Sequence, residues 1–289
     1  MPSLLLICSV FMTASTSIFG KIYTRREQGK TDSPIFYTLL LLCSACLGWG
    51  VLYAFDFSFD IGVLSYALLF GIFYALHNVG VINALKNGPA ALTSLFVGLS
   101  LLLTSIWGFF FWGEPVTVPV VAGLVLVVIS IVLCLYRKKK DEKTISPRWV
   151  LFMSLSFFSN AACAIVQRTE QLRFDGRHGK MMMFFALLLS VVLYILLFFL
   201  RSNKRDLSVI LRHSWWIPSL AGLVNVGYNL FVILLATTPL SASLVYPVIG
   251  VGSLAVVTVF SLFIFKEKMH PWQWLGVAIG ACAVVLLSI

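Results

Sequence analysis

The chain has 289 residues, of which 60% are hydrophobic and 11% charged, and its mean hydropathy is +0.98. Such a composition excludes a water-soluble globular domain and implies an integral membrane protein. The net charge of +10 falls between the apolar runs, where it sets membrane orientation and is not a nucleic-acid footprint.

In chain order the apolar runs cover about 3–23, 35–54, 62–85, 90–112, 118–136, 149–167, 181–200, 216–236, 240–265 and 272–289. Each approaches the roughly 20 residues that a helix needs to cross a bilayer core. The runs are continuous and do not alternate at every second position, which selects helices over barrel strands. The first run has only Met1 and Pro2 before it and lacks a basic leader, so it is expected to be a retained span and not a signal peptide. All six cysteines (Cys8, Cys43, Cys46, Cys134, Cys163, Cys282) lie within these runs and are expected to act as small packing residues. Cys43 and Cys46 have no second pair for a metal site.

The hydrophilic stretch Arg137–Lys143 divides the chain into halves of nearly equal length, 1–136 and 147–289. Laid together, the halves repeat. Gly71, Tyr74, His77 and Asn78 fall opposite Gly222, Asn225, Tyr228 and Asn229 at a constant offset of 151; Pro89 meets Pro239, and Glu114 and Gly123 meet Glu267 and Gly276, at nearly the same offset. Five spans per half is an odd number, so the second half enters the membrane from the opposite side. The expected fold is therefore an all-α membrane protein of ten transmembrane helices, arranged as two inverted five-helix repeats. Inverted repeats have a mechanical meaning, since two oppositely oriented bundles can exchange conformations around a central site.

Alternate loops carry 17 and 4 of the 21 Lys and Arg residues, the four being Arg168, Arg173, Arg177 and Lys180 in one loop. The positive-inside rule then puts both termini outside. The Trp residues sit mostly near span ends, as an interfacial belt does. Gly276 and Gly280 form a close-packing GxxxG face, expected to serve intramolecular contact.

No Asp or Glu falls in the interior of a span as drawn, and His77 is the one acid/base group deep in a helix. Tyr74, His77 and Asn78 stand at i, i+3 and i+4, on one face of the third helix. Asn225, Tyr228 and Asn229 repeat the pattern on the eighth. Two such stripes predict a shared polar lining between the halves; the competing reading is plain interhelical hydrogen bonding. Tyr246, followed by Pro247 and Gly250, joins the predicted lining because proline loosens a helix and exposes backbone polar groups. Asn160 is a lesser member. Weaker candidates are Ser15, Thr16, Ser17, Asn83, Ser94, Gln167, Ser241 and Ser243, because small hydroxyl side chains often bond to their own backbone. The sequence has no HExxH, nucleophile elbow, Walker loop or paired carboxylates at membrane depth, so no enzyme activity and no cofactor are expected.

The order of these signals resembles the drug/metabolite transporter superfamily, EamA type, over essentially the whole chain. ALKNGPAALTSLFVGLSLLLTSIWGFFFWGEPVTVPVVAGLVLVV is similar to the fourth and fifth helices of a first EamA repeat, and SLVYPVIGVGSLAVVTVFSLFIFKEKMHPWQWLGVAIGACAVVLL to those of a second. Tyr246–Gly252 is also similar to the signature of the small multidrug resistance proteins. Those relatives carry a membrane-embedded Glu on the first helix. LLLICSVFMTASTSIF and its counterpart SLSFFSNAACAIV have none, which leaves His77 as the substitute proton carrier. The resemblance implies cytoplasmic termini, against the loop charge.

The resulting expectation is a carrier in the cell membrane that moves a small organic solute by alternating access, plausibly as an exporter. A pocket of amides, hydroxyls and tyrosine rings without carboxylates suits a neutral or zwitterionic solute such as an amino acid. The rival expectations are a multidrug efflux pump, and a non-transporting partner subunit or lipid flippase component. The expected partners are the solute and the lipid bilayer, with the chain a monomer or homodimer and no nucleic acid bound.

Overall fold

The computed structural model describes residues 2–27, 33–87, 90–134, 147–201, 214–265 and 271–287. The Lys-rich seam, Pro89 and Glu267 lie outside the described residues, as do the side chains of Ser17 and Ser94. Among the described residues ten helices follow one another: α1 Pro2–Arg26, α2 Ser33–Phe55, α3 Ile61–Asn87, α4 Ala90–Phe111, α5 Val118–Cys134, α6 Pro147–Arg173, α7 Gly179–Arg201, α8 Trp216–Ala236, α9 Ala242–Phe265 and α10 Pro271–Leu287. Among the described residues, six (α1, α2, α3, α6, α7 and α8) have an apolar stretch long enough to cross a membrane, and α4, α5 and α9 carry shorter ones. In a bilayer each backbone N–H and C=O must be satisfied within the segment, which makes helix the natural state of these runs.

One boundary differs from expectation. The sixth apolar run was expected to stop at residue 167, but α6 continues to Arg173. It ends where Asp175 turns left-handed (φ 52) and the Gly176 amide bonds back to the Gln171 carbonyl at 2.9 Å, a Schellman closure. QRTEQLR is polar yet readily helical, so the hydrocarbon-like composition ends before the helix does. Arg168 and Arg173 therefore belong to a helix and not to a loop.

The main core lies among α2, α3, α7 and α8, where Trp49, Phe70, Met182, Leu187, Tyr194 and Val226 are buried. A smaller one joins α5, α9 and α10 through Val127, Val248, Val251 and Ala283. Large apolar side chains also cover the outside, among them Phe55 at 88% exposure and Leu200 at 82%, an arrangement that lipid stabilises and water would not.

Two glycines fix the closest helix approaches of this core. A Cβ on Gly71 of α3 would lie 2.6 Å from the Ala186 carbonyl oxygen of α7, and one on Gly222 of α8 would collide with Ser44 and the Leu41 carbonyl of α2. Neither position admits a larger side chain without separating the helices. On the far side of the bundle, Ser130 of α5 donates to the Gly276 carbonyl of α10 at 2.7 Å and faces Gly280. The GxxxG face is thus used within the chain.

Around this core α3 packs on α6 and α7, α8 packs on α1 and α2, α4 meets α6 and α9, and α1 meets α9. Among the described residues α3 and α8 are not a closely packed pair. They face each other through side chains.

Candidate functional site

The residues facing each other between α3 and α8 are those of the two polar stripes. On α3 the Asn78 amide donates to the Tyr74 carbonyl at 2.7 Å. On α8 the Asn229 amide donates to the Asn225 carbonyl at 3.0 Å and to its side-chain oxygen at 3.1 Å. Each asparagine thereby satisfies part of its polar capacity one turn back on its own helix. The Tyr74 side chain lies within electrostatic reach of Asn78 on its own helix and of Asn225 on α8. Tyr228 lies near Tyr74 and Tyr246, while Tyr37 of α2 and Tyr194 of α7 also neighbour Tyr74. Phe70 stacks on the Tyr74 ring at 5.7 Å.

Burial separates the members of this group. Asn229 is buried, with the Gln167 amide of α6 donating to its Oδ1 at 3.5 Å. Tyr74, Asn78, Asn225 and Tyr228 are half-buried. Helices surround them, yet they keep accessible surface. Five of the eight expected lining residues (Tyr74, Asn78, Asn225, Tyr228 and Asn229) are thus brought together.

The other three make contacts at separate points along α6, on which Asn160 itself lies. His77 places Nδ1 2.9 Å from the Ser156 hydroxyl and 3.2 Å from its carbonyl oxygen, in the tight α3–α6 seam where Gly80 meets the Phe152 carbonyl. The Asn160 amide donates to the Ser100 hydroxyl of α4 at 2.7 Å. The Tyr246 hydroxyl of α9 donates to the Ala164 carbonyl at 3.3 Å. Of the weaker candidates, Ser15, Thr16 and Asn83 donate to backbone carbonyls of their own helices, and Ser243 donates to Ser241.

One end of the bundle is held by a set of ties. Glu114, in the α4–α5 turn, accepts from the Ala242 and Ser243 amides at 2.6 and 2.9 Å. A carboxylate there satisfies orphan donors at the N-terminus of α9 and is stabilised by the helix dipole. Arg168 is buried and donates to the Leu240 carbonyl at 3.2 Å. Lys180 pairs with Asp56 at 2.6 Å, and His178 meets the Ser58 hydroxyl at 3.0 Å. The turns α2–α3, α4–α5, α6–α7 and α8–α9 are all at this end.

Sequence reading missed Glu170. It is fully buried in the last turn of α6, so a carboxylate does lie within a membrane helix. Its Oε2 accepts from the Gln171 amide and its Oε1 has no hydrogen-bond partner. The signal was present as Gln167, Glu170 and Gln171 at i, i+3 and i+4, hidden by drawing the span as ending at 167.

Comparison with known proteins follows this architecture. Residues 1–136, which comprise α1 to α5, match the EamA-like transporter family. The first half of the chain is thus similar to the EamA-like transporters. This match and the apolar helices together support a multi-pass membrane transporter of the drug/metabolite type. A solved structure described only as "Crystal structure of protein" shares this fold, with a TM-score of 0.75 over 99% of this chain and 95% of its own at 16% identity. No curated protein matches the sequence.

Proposed function

We propose that this EamA-type protein carries a small neutral or zwitterionic organic solute, such as an amino acid, out of the cell by alternating access between two inverted five-helix halves, 1–136 and 147–289. The observation that carries the reading is the approach of Tyr74 to Asn225 between two helices that are not closely packed, with side chains that keep accessible surface. Amides and phenol rings of this kind can hydrogen-bond a polar solute and hold its apolar part. Tyr74, Asn78, Asn225, Tyr228 and Asn229 would touch the solute, with Tyr246, His77 and Asn160 supporting the walls.

The repeat reading is supported by packing. Exchanging each helix with the one five places along turns α3 on α6 and α7 into α8 on α1 and α2, and α4 on α6 into α9 on α1. Gly71 and Gly222 make equivalent close approaches, to α7 and α2, and Asn78 and Asn229 make equivalent backbone bonds. In alternating access the ties at Glu114, Arg168 and Lys180 would hold one end shut. That end would face outside, together with both termini, by the loop charge.

Purified protein in liposomes preloaded with unlabelled neutral amino acids tests the proposal. Counterflow of the labelled amino acids supports a carrier that works alone. Absence of counterflow for the whole panel, with a folded protein, would remove the amino-acid reading, and dye efflux in the same liposomes would replace it with a multidrug pump. A partner subunit or scaffold would show neither activity.

A further inference from the structure

The fully buried Glu170 stands apart from the polar groups used so far. A carboxylate withdrawn from water without a cation is costly, and in membrane helices such groups are kept for a purpose. Among the described residues the cations near Glu170 are engaged elsewhere, His77 of α3 is bonded to Ser156, and Glu114 is bonded to the start of α9, which also brings Tyr246. On α6 itself, Arg168 is turned to the Leu240 carbonyl and Arg173 to the Tyr66 hydroxyl of α3 at 3.0 Å. On α7, Lys180 is paired with Asp56, and His178 just before it meets Ser58. The α2–α3 and α6–α7 links add Asp60, Asp175 and Arg177; Asp60 caps Gly62, and Asp175 and Arg177 are exposed. α4 has no titratable side chain, and α8 brings Tyr228. The recorded partner of Glu170 is the neutral Gln171 amide, and one carboxyl oxygen is left without any.

The geometry points to Glu170 as a proton-binding site whose occupancy is linked to closure of this end of the bundle. When the end closes, the carboxylate takes one proton from the adjoining aqueous phase and is buried as the neutral acid, with its hydroxyl able to donate. When the end opens, water reaches the group and the same proton returns to that phase. Gln167 stands one turn earlier on the same helix and bonds Asn229 at 3.5 Å, so the proton site and the proposed solute site share α6. The link to solute movement rests on the carrier reading above. The proton site itself does not.

Infrared titration of the purified protein in liposomes, with no solute present, reads the proton directly. Near neutral pH, where solvated carboxylates are ionised, a protonated-carboxyl stretch should be present, vanish as the pH is raised, and be lost in Glu170→Gln. Glu170→Asp, which keeps a carboxyl at the position, should retain a band at a shifted frequency, and that separates proton loss from misfolding. A wild-type protein with no such band, or a band that persists in Glu170→Gln, overturns the proposal. For any labelled amino acid that shows counterflow, the exchange rate should depend on pH at the face bearing the α6–α7 link. That dependence should be lost in Glu170→Gln and kept in His178→Gln. Survival of the full pH dependence in Glu170→Gln overturns the linkage to closure. If no amino acid moves, the carrier reading fails while the infrared arm still decides the proton site.

Discussion

An asparagine in a membrane helix has two amide donors and a carbonyl acceptor to satisfy, and Asn78 and Asn229 each direct a donor to a carbonyl one turn back. Asn229 also bonds the Asn225 side chain and accepts from Gln167 of α6; in the proposed carrier the capacity left over serves the solute. Removing such a contact to a bound solute costs about 0.5–1.5 kcal/mol, so Asn78→Ala and Asn229→Ala should lower amino-acid counterflow by roughly 2- to 10-fold at unchanged membrane abundance. Equal losses of abundance and activity would identify them as packing residues instead. His77 is expected to behave differently, because its ring is tied to Ser156 across the α3–α6 seam. Interhelical bonds of this kind are worth about 0.6–2 kcal/mol. His77→Ala should therefore lower the melting temperature in detergent while leaving the pH profile of exchange in place. A profile flattened by this substitution would restore His77 as the proton carrier.

At the scale of the helix, much of the structure was legible. The apolar runs locate the ten helices of the described residues, and a period of 3.6 residues identifies Tyr74 and Asn78 as neighbours. Composition could not locate the end of α6, since helix formation depends on backbone bonding and the Arg168–Arg173 segment bonds as well as any. Nor could it give the partners of His77, Asn160 and Tyr246. These contacts link residues 79, 60 and 82 positions apart, and a helical period carries no information across such distances. Two element-scale tests follow. Gly222→Leu should force α8 from α2, lowering the melting temperature sharply, with Gly222→Ala intermediate, since overpacking typically costs about 1–3 kcal/mol. Glu114→Ala should release the first turn of α9, at about 1 kcal/mol, seen as faster hydrogen exchange at the Ala242 and Ser243 amides.

For the whole molecule, orientation is the open mechanical variable, and it determines which compartment the Glu114 and Arg168 ties face. In a cysteine-free background, Asp175→Cys should react with an impermeant thiol reagent added to intact cells, whereas Lys140→Cys should react only after permeabilisation. The reverse pattern would place both termini in the cytoplasm.

Five consecutive stations on α6 hold neighbours: Ser156 holds α3, Asn160 holds α4, Ala164 holds α9, Gln167 holds α8 and Arg168 holds the α8–α9 link. A rod fastened on so many sides cannot slip past one neighbour without disturbing the rest. Its displacement should therefore be concerted, and a single fluorescent reporter on α6 should register the whole cycle as one transition with one midpoint.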